Sequence, residues 1–187
     1  HKVKTILDYS VEGEKSEAGF DRTTEEILKT FDKAKSSPNV PFCVFKMTGM
    51  GHVDLLEKIQ SGLALTDAEE DAYQKIRERV DRICRRASET GIPVMIDAEE
   101  TWIQNPIDQI VYEMMGRYNQ SKALVYTTVQ MYRADSLAIL KDAFNRAAMH
   151  NHFLGVKLVR GAYMEKERER AAAHGYPSPI FPPRRRP

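Results

Sequence analysis

The sequence predicts an α/β fold of parallel strands covered by helices, and three observations predict it. Strand-like apolar runs without clean polar alternation are each followed by an amphipathic helical stretch, about five times over. Four of those runs, LDYSVEG (7–13), FCVFKMTGM (42–50), PVMIDAEET (93–101) and ALVYTTVQMY (123–132), carry polar groups at their C-terminal ends. The fifth, FLGVKLVRGAY (153–163), sets Lys157 and Arg160 inside an otherwise buried strand pattern, as a segment built to meet an anion.

Taken in order, Lys4 to Val11 reads as a short strand, then a polar loop, then a helix from about Thr23 with Ile27, Leu28, Phe31 and Ala34 at helical spacing. Ser36, Ser37 and Pro38 stop it. Val40 to Thr48 is the next strand, broken by Gly49 and Gly51 before a short helix carrying Val53, Leu55, Leu56 and Ile59 that ends at Gly62. Thr66 with Glu69 forms a capping-box pattern for a long helix striped by Tyr73, Ile76, Val80, Ile83, Cys84 and Ala87, with Gly91 as its stop. Pro93 opens a third strand. Asn105 and Pro106 read as N-cap and first residue of the helix bearing Ile107, Ile110, Val111, Met114 and Tyr118. Ala123 to Met131, a helix from about Asp135 to Met149, the strand at Phe153 and the helical start MEKERERAAAHG complete the rhythm. PSPIFPPRRRP (177–187) has five prolines, fits neither helix nor central strand, and is expected to be a disordered tail after a domain of 1–176. No repeat beyond the strand–helix rhythm and no linker divides the chain.

Composition narrows the function classes. The 187 residues are 42% hydrophobic and 29% charged, and 28 basic against 27 acidic side chains leave a formal charge of +1. That balance calls for neither a nucleic acid nor a membrane as partner, and points to a small or modestly charged ligand. Cys43 and Cys84 fall on apolar positions and read as reduced core thiols. No apolar run approaches the roughly 20 residues of a membrane span, and the opening HKVKTILDYS lacks the apolar region of a signal peptide. The chain opens without Met, as a processed or excised protein does.

The chemistry is expected at the strand C-termini, where loops and helix N-termini present donors in barrels and open sheets alike. Lys46 with Thr48, Asp97 with Glu99, Thr128 with Gln130, and Lys157 with Arg160 stand there, and residues two apart on a strand share a face. Lys46 with Asp97 also reads as a plain buried ion pair. GMGHVD (49–54) has the start of a dinucleotide fingerprint but Asp54 at its third Gly position, so it reads as a turn. His150 and His152 flank a helix end without an acidic or Cys partner nearby and read as helix termination. Met114, Met115 and Met149 read as core.

Together KLVRGAYMEKERERAAAHGYPSPI, MIDAEETW, VFKMTGM, TTVQMY and LDYSVEG resemble the proline dehydrogenase family, in family order from near Ile6 to about Ile180. The resemblance implies a partial (β/α)8 barrel of the TIM type, bound FAD, and oxidation of L-proline to 1-pyrroline-5-carboxylate in proline catabolism. It makes Lys46 a contact for the proline carboxylate and Asp97 an anchor in the same pocket, and lays Gln130 against the flavin. It puts Lys157 where many bacterial relatives carry Arg near the flavin N5, with Val159, Arg160 and Gly161 along the cofactor and Tyr163 in the pocket wall or floor. Lysine keeps that charge but loses the planar fork of arginine.

The resemblance also implies a quinone or respiratory-chain electron acceptor and a cytoplasmic or mitochondrial-matrix setting, peripheral to the inner membrane. Family members continue past the PSPI region through three more strands and a helix with a YxxRRxxEN-like motif whose arginines hold the substrate carboxylate. FPPRRRP matches none of this, so the chain as given is expected not to turn over proline. Two other readings stay open: a Schiff-base aldolase using Lys157 or Lys46 as nucleophile, and a non-catalytic partial barrel that self-associates through open sheet edges.

Overall fold

In the computed structural model, which describes residues 3–8 and 15–182, five strands form one parallel sheet in plain sequence order. They are β1 (Leu7–Asp8), β2 (Cys43–Lys46), β3 (Val94–Asp97), β4 (Val125–Gln130) and β5 (Val156–Val159). A doubly wound sheet reverses its strand order at a switch point; an order without reversal is that of a barrel wall. The helices are α1 (Glu17–Lys35), α2 (Val53–Gln60), α3 (Asp67–Thr90), α4 (Thr101–Tyr118), α5 (Ser136–Met149) and α6 (Met164–His174).

The two-residue period of a strand divides the sheet. Cys43, Phe45, Val94, Ile96 and Val125 enter the apolar core beside Ile27 and Phe31 of α1, Ile76 and Val80 of α3, and Ile107 and Val111 of α4. Their alternates, among them Lys46, Asp97, Thr128, Gln130 and Lys157, are left to the opposite face. Cys43 and Cys84 are free and buried in this core, which pushes both thiols' pKa values up. Gly51 belongs to the same packing: a Cβ there would lie 2.3 Å from Ile76 Cδ1, so the GMGHVD stretch serves close approach of α3.

Several boundaries and placements differ from the sequence expectations. α1 begins at Glu17, six residues before Thr23, because Ser16 caps it by accepting from Gly19 N–H and because Arg79 of α3 holds Glu17 and Asp21. The Arg79 guanidinium also donates to Met50 O and lies over the Phe20 ring, so a buried arginine is fully partnered. α4 begins at Thr101, not Pro106. Pro106 therefore sits inside the helix, where it offers no N–H to the Trp102 carbonyl, and Gln60 braces the turn before it: Oε1 accepts from Asn105 N–H and Nε2 donates to Thr101 O. Met149 is not core; it is 77% exposed, because α5 buries only the small stripe Ser136, Ala143 and Ala147.

The proline-rich segment is not free over its described part. Ile180 is buried and bridges Arg133, Phe181 N–H donates to Tyr132 O, and Ala134 N–H donates to Pro179 O. Residues 183–187 and most of the LDYSVEG strand end lie outside the described residues. At the opposite end of the sheet, Asn119 is fully buried and makes four bonds: it accepts from Leu124 and Val125 N–H and donates to Val125 and Phe153 carbonyls.

Candidate active site

Strand register builds the site. Lys46 pairs in register with Asp97, and Thr128 with Lys157. The β3–β4 register of Val94 with Val125 and Met95 with Tyr126, continued upward, brings Asp97 level with Thr128. Four strands thus carry Lys46, Asp97, Thr128 and Lys157 in one row, all on the face turned away from the helical core. Thr128 keeps the row closed where the ladder stops, its hydroxyl donating to Ile96 O at 2.8 Å.

The row floors a cleft of about 300 Å³. Above it stand Gln130 and Val159, and the loop after β5 contributes Gly161, Ala162 and Tyr163. Asp97 is the electrostatic centre: Lys157 Nζ makes an ion pair with Oδ1, and Lys46 Nζ lies 4.0 Å from Oδ2. Asp8 Oδ2 is 3.9 Å from Lys46 Nζ on the far side. Two cations thus share the Asp97 carboxylate, and all three side chains keep partial solvent access. Gln130 is 3% exposed and, among the described residues, its Oε1 has no hydrogen-bond partner, an acceptor open to an N–H donor.

Arg160 does not join them. It lies three residues from Lys157, on the other strand parity, and its side chain is exposed. Thr48 and Glu99 also leave the row, since β2 and β3 end at Lys46 and Asp97 and the alternation ends with them. They meet each other instead: Glu99 accepts from Thr48 N–H at 3.0 Å and from the Thr48 hydroxyl at 2.6 Å. Burial pushes the Glu99 carboxyl up to about 7 against those two donors. Burial likewise raises the Tyr163 hydroxyl, with Glu99, Glu100 and Asp97 adding to the effect.

Glu167 was not legible as part of this end of the sheet. It is wholly buried, and its two carboxyl oxygens accept from the Thr101 N–H and hydroxyl, each at 2.6 Å, at the first turn of α4. Its helix, α6, accordingly lies against the starts of α4 and the body of α2: Lys166 pairs with Glu100, Arg170 pairs with Glu57, and the Arg170 guanidinium stacks 4.4 Å from the Trp102 ring centroid. The sequence rhythm made it one more sheet-covering helix. The only sequence signal was a Glu among charged residues, which reads as solvent-facing.

A barrel wall of parallel strands with a polar cleft at their C-terminal ends defines an α/β-barrel protein with its ligand site in the usual place. The chain belongs to the proline dehydrogenase family: the family model described as Proline dehydrogenase matches residues 1–186. Among individual proteins, it is 37% identical over 166 residues to the carbapenem antibiotics biosynthesis protein CarD of Pectobacterium carotovorum subsp. carotovorum, covering 89% of this chain and 44% of that protein. It is 39% identical over 114 residues to mitochondrial proline dehydrogenase 1 of Drosophila melanogaster, covering 61% of this chain and 17% of that protein. The chain thus spans less than half the length of these curated relatives.

The fold matches proline utilization A (PutA) from Bdellovibrio bacteriovorus, solved after inactivation by N-propargylglycine, with a TM-score of 0.79 at 18% identity, covering 96% of this chain and 20% of that one. A bifunctional PutA superposes with a TM-score of 0.80 at 18% identity, covering 98% of this chain and 19% of that one. These likenesses confirm the partial TIM-type barrel.

Proposed function

We propose that the cleft is the proline end of an FAD-dependent site that oxidises L-proline to 1-pyrroline-5-carboxylate. The observation that carries this reading is the row Lys46, Asp97, Thr128 and Lys157 beneath the unpaired Gln130 Oε1, in a chain of this family. The residues fit a flavin: an orphaned buried acceptor, a fixed cation and a concave wall lie together. FAD, when bound, supplies the hydride acceptor.

The chain's own groups do the rest. Lys46 offers an ammonium to the proline carboxylate, and Asp97 keeps the amine oriented while balancing its charge. Lys157, held by the same carboxylate, places a positive charge where negative charge develops as hydride leaves the carbon beside the ring nitrogen. Gln130, Val159 and Gly161 form the wall toward the cofactor, and Tyr163 closes the substrate side. Both lysines are engaged as ion-pair partners of Asp97, whereas an imine-forming amine has to be free and neutral, which favours this reading over the aldolase.

A quinone or respiratory-chain acceptor and a mitochondrial or cytoplasmic setting at the inner-membrane surface belong to the same proposal, supported by the mitochondrial names of the eukaryotic relatives. Among the described residues no helix is long and apolar enough to cross a membrane.

The test is a titration of the purified chain with FAD, followed by L-proline, reading the flavin absorption band. Flavin binding that weakens about tenfold in Gln130→Leu and Lys157→Met, and a band shift with L-proline but not with pyrrolidine, support the proposal. A chain that leaves the flavin spectrum unchanged, or answers pyrrolidine as it answers proline, overturns it.

A further inference from the structure

Tyr163 lines the cleft from a loop, and a loop residue is only as well placed as its two ends. On the strand side, the loop runs along the extension of β4: Met131 N–H donates to Val159 O and Tyr132 N–H to Arg160 O. Gly161 is pressed onto the Tyr132 ring, where a Cβ would lie 1.4 Å from Cε1. On the helix side, Tyr163 is the N-cap of α6, with no side-chain cap of its own. Its carbonyl accepts from Glu167 N–H at 2.8 Å, so the residue one turn on shares its face of the helix.

We propose that Glu167 is the positioning residue that sets Tyr163 over the cleft, by fastening the first turn of α6 to the first turn of α4 through Thr101. The proposal rests on the functional reading above only for what Tyr163 does there. Glu167 is singled out among the anchors of α6 because it alone is wholly buried with both oxygens bonded to one residue. Lys166 pairs with Glu100 from a side chain 61% exposed, and such pairs hold position weakly. Thr101 lies four residues beyond Asp97, so the fastening joins the loop after β3 to the loop after β5. The Lys157–Asp97 ion pair joins the same two strands lower down. Two ties across β4 thus fix the substrate-side wall against the floor.

Glu167→Ala leaves the Arg170 and Lys166 contacts in place, so α6 stays docked but its first turn is released. Glu167→Gln keeps an oxygen for Thr101 N–H and presents an amide N–H that the Thr101 hydroxyl can accept, so it rescues. Trp102 is the chain's single tryptophan and lies under Arg170, so its emission reports whether α6 is still docked.

The experiment is hydrogen exchange on the purified chain and these variants, with Thr101→Val as a second way to break the contact. Expected are about tenfold faster exchange at residues 161–166 in Glu167→Ala, a smaller effect in Thr101→Val, near-native exchange in Glu167→Gln, unchanged Trp102 emission, and unchanged exchange at residues 107–115. This outcome supports the fastening even in a chain that binds no flavin. Unaltered exchange at 161–166, or protection lost evenly along the chain, overturns it. Where the flavin titration responds to L-proline, Glu167→Ala is expected to weaken that response about tenfold in the native background and not further in Tyr163→Ala. Equal weakening in both backgrounds overturns the positioning role.

Discussion

Asp97 and Lys157 stand on strands that are not neighbours, yet their side chains close an ion pair over the face of β4. Adjacent strands lie about 4.8 Å apart, so strands two apart are separated by roughly twice that. A contact across this span belongs to the concave side of a curled wall, where inward side chains converge. The same convergence lets Lys46 approach Asp97 from the other side.

Asp97 therefore neutralises two cations, and its loss is expected to cost more than the loss of either. Asp97→Asn is expected to destabilise the fold by about 1–3 kcal/mol, leaving the ammonium groups of Lys46 and Lys157 without their shared carboxylate. Lys157→Met is expected to cost under about 1 kcal/mol, since all three groups keep solvent access. The double variant is expected to lie closer to native than Asp97→Asn alone, which urea unfolding of the four proteins measures.

Glu99 gives the fold a pH dependence of definite sign. Unfolded, its carboxyl loses the proton near the ordinary 4.5; folded, burial holds the proton until about 7. Between these values the folded state binds more protons, so stability falls as pH rises through the window. Asp108, raised by burial to about 6, adds to the fall in the same sense. Urea midpoints measured from about pH 4.5 to about 7.5 are expected to decline, and Glu99→Gln is expected to remove on the order of 3 kcal/mol of that decline.

The Gln60 clamp predicts a pairwise rescue. Gln60→Ala removes the side-chain bonds to Thr101 O and Asn105 N–H, at an expected cost of about 1–3 kcal/mol. Pro106→Ala returns the missing N–H to the Trp102 carbonyl and steadies the same turn, so the double variant is expected to recover part of the loss. Thermal unfolding by circular dichroism reads it; full additivity contradicts the clamp.

Gly161→Ala is expected to be severe for two reasons that act together. Its φ of +114° is a conformation that residues with a Cβ rarely adopt, and the new methyl meets the Tyr132 ring. A cost of about 3 kcal/mol is expected. Tyr132→Ala is expected to relieve the steric part only, so the two substitutions together are expected to cost less than the sum of their separate costs in thermal stability.

What the sequence made legible was whatever repeats or stands alone. The strand rhythm, the Thr66–Glu69 capping box and the Gly91 stop were readable because each is a local pattern, and the structure has all three. The row Lys46, Asp97, Thr128 and Lys157 was readable as candidate chemistry because polar groups at strand ends are conspicuous. Side-chain parity misled where a strand stopped early, as at Thr48 and Glu99. Pro106 misled because the residue that braces the turn before it, Gln60, lies 45 positions from its partner Asn105. Glu167 was hidden for the same reason: its partner Thr101 is 66 residues distant, and nothing local separates it from the charged residues around it.

The ladder between β3 and β4 has only two register pairs, Val94 with Val125 and Met95 with Tyr126, against four on either flank. The sheet is thus a cloth with a short seam, sewn shut above it by threads that are not backbone: the Thr128 hydroxyl, the Asp97 ion pair and the Glu167 carboxyl. The cleft straddles that seam. Its width is therefore written in three side chains rather than in the strand ladder, and point substitutions in those threads can change the bite of the cleft while every strand and helix stays where it is.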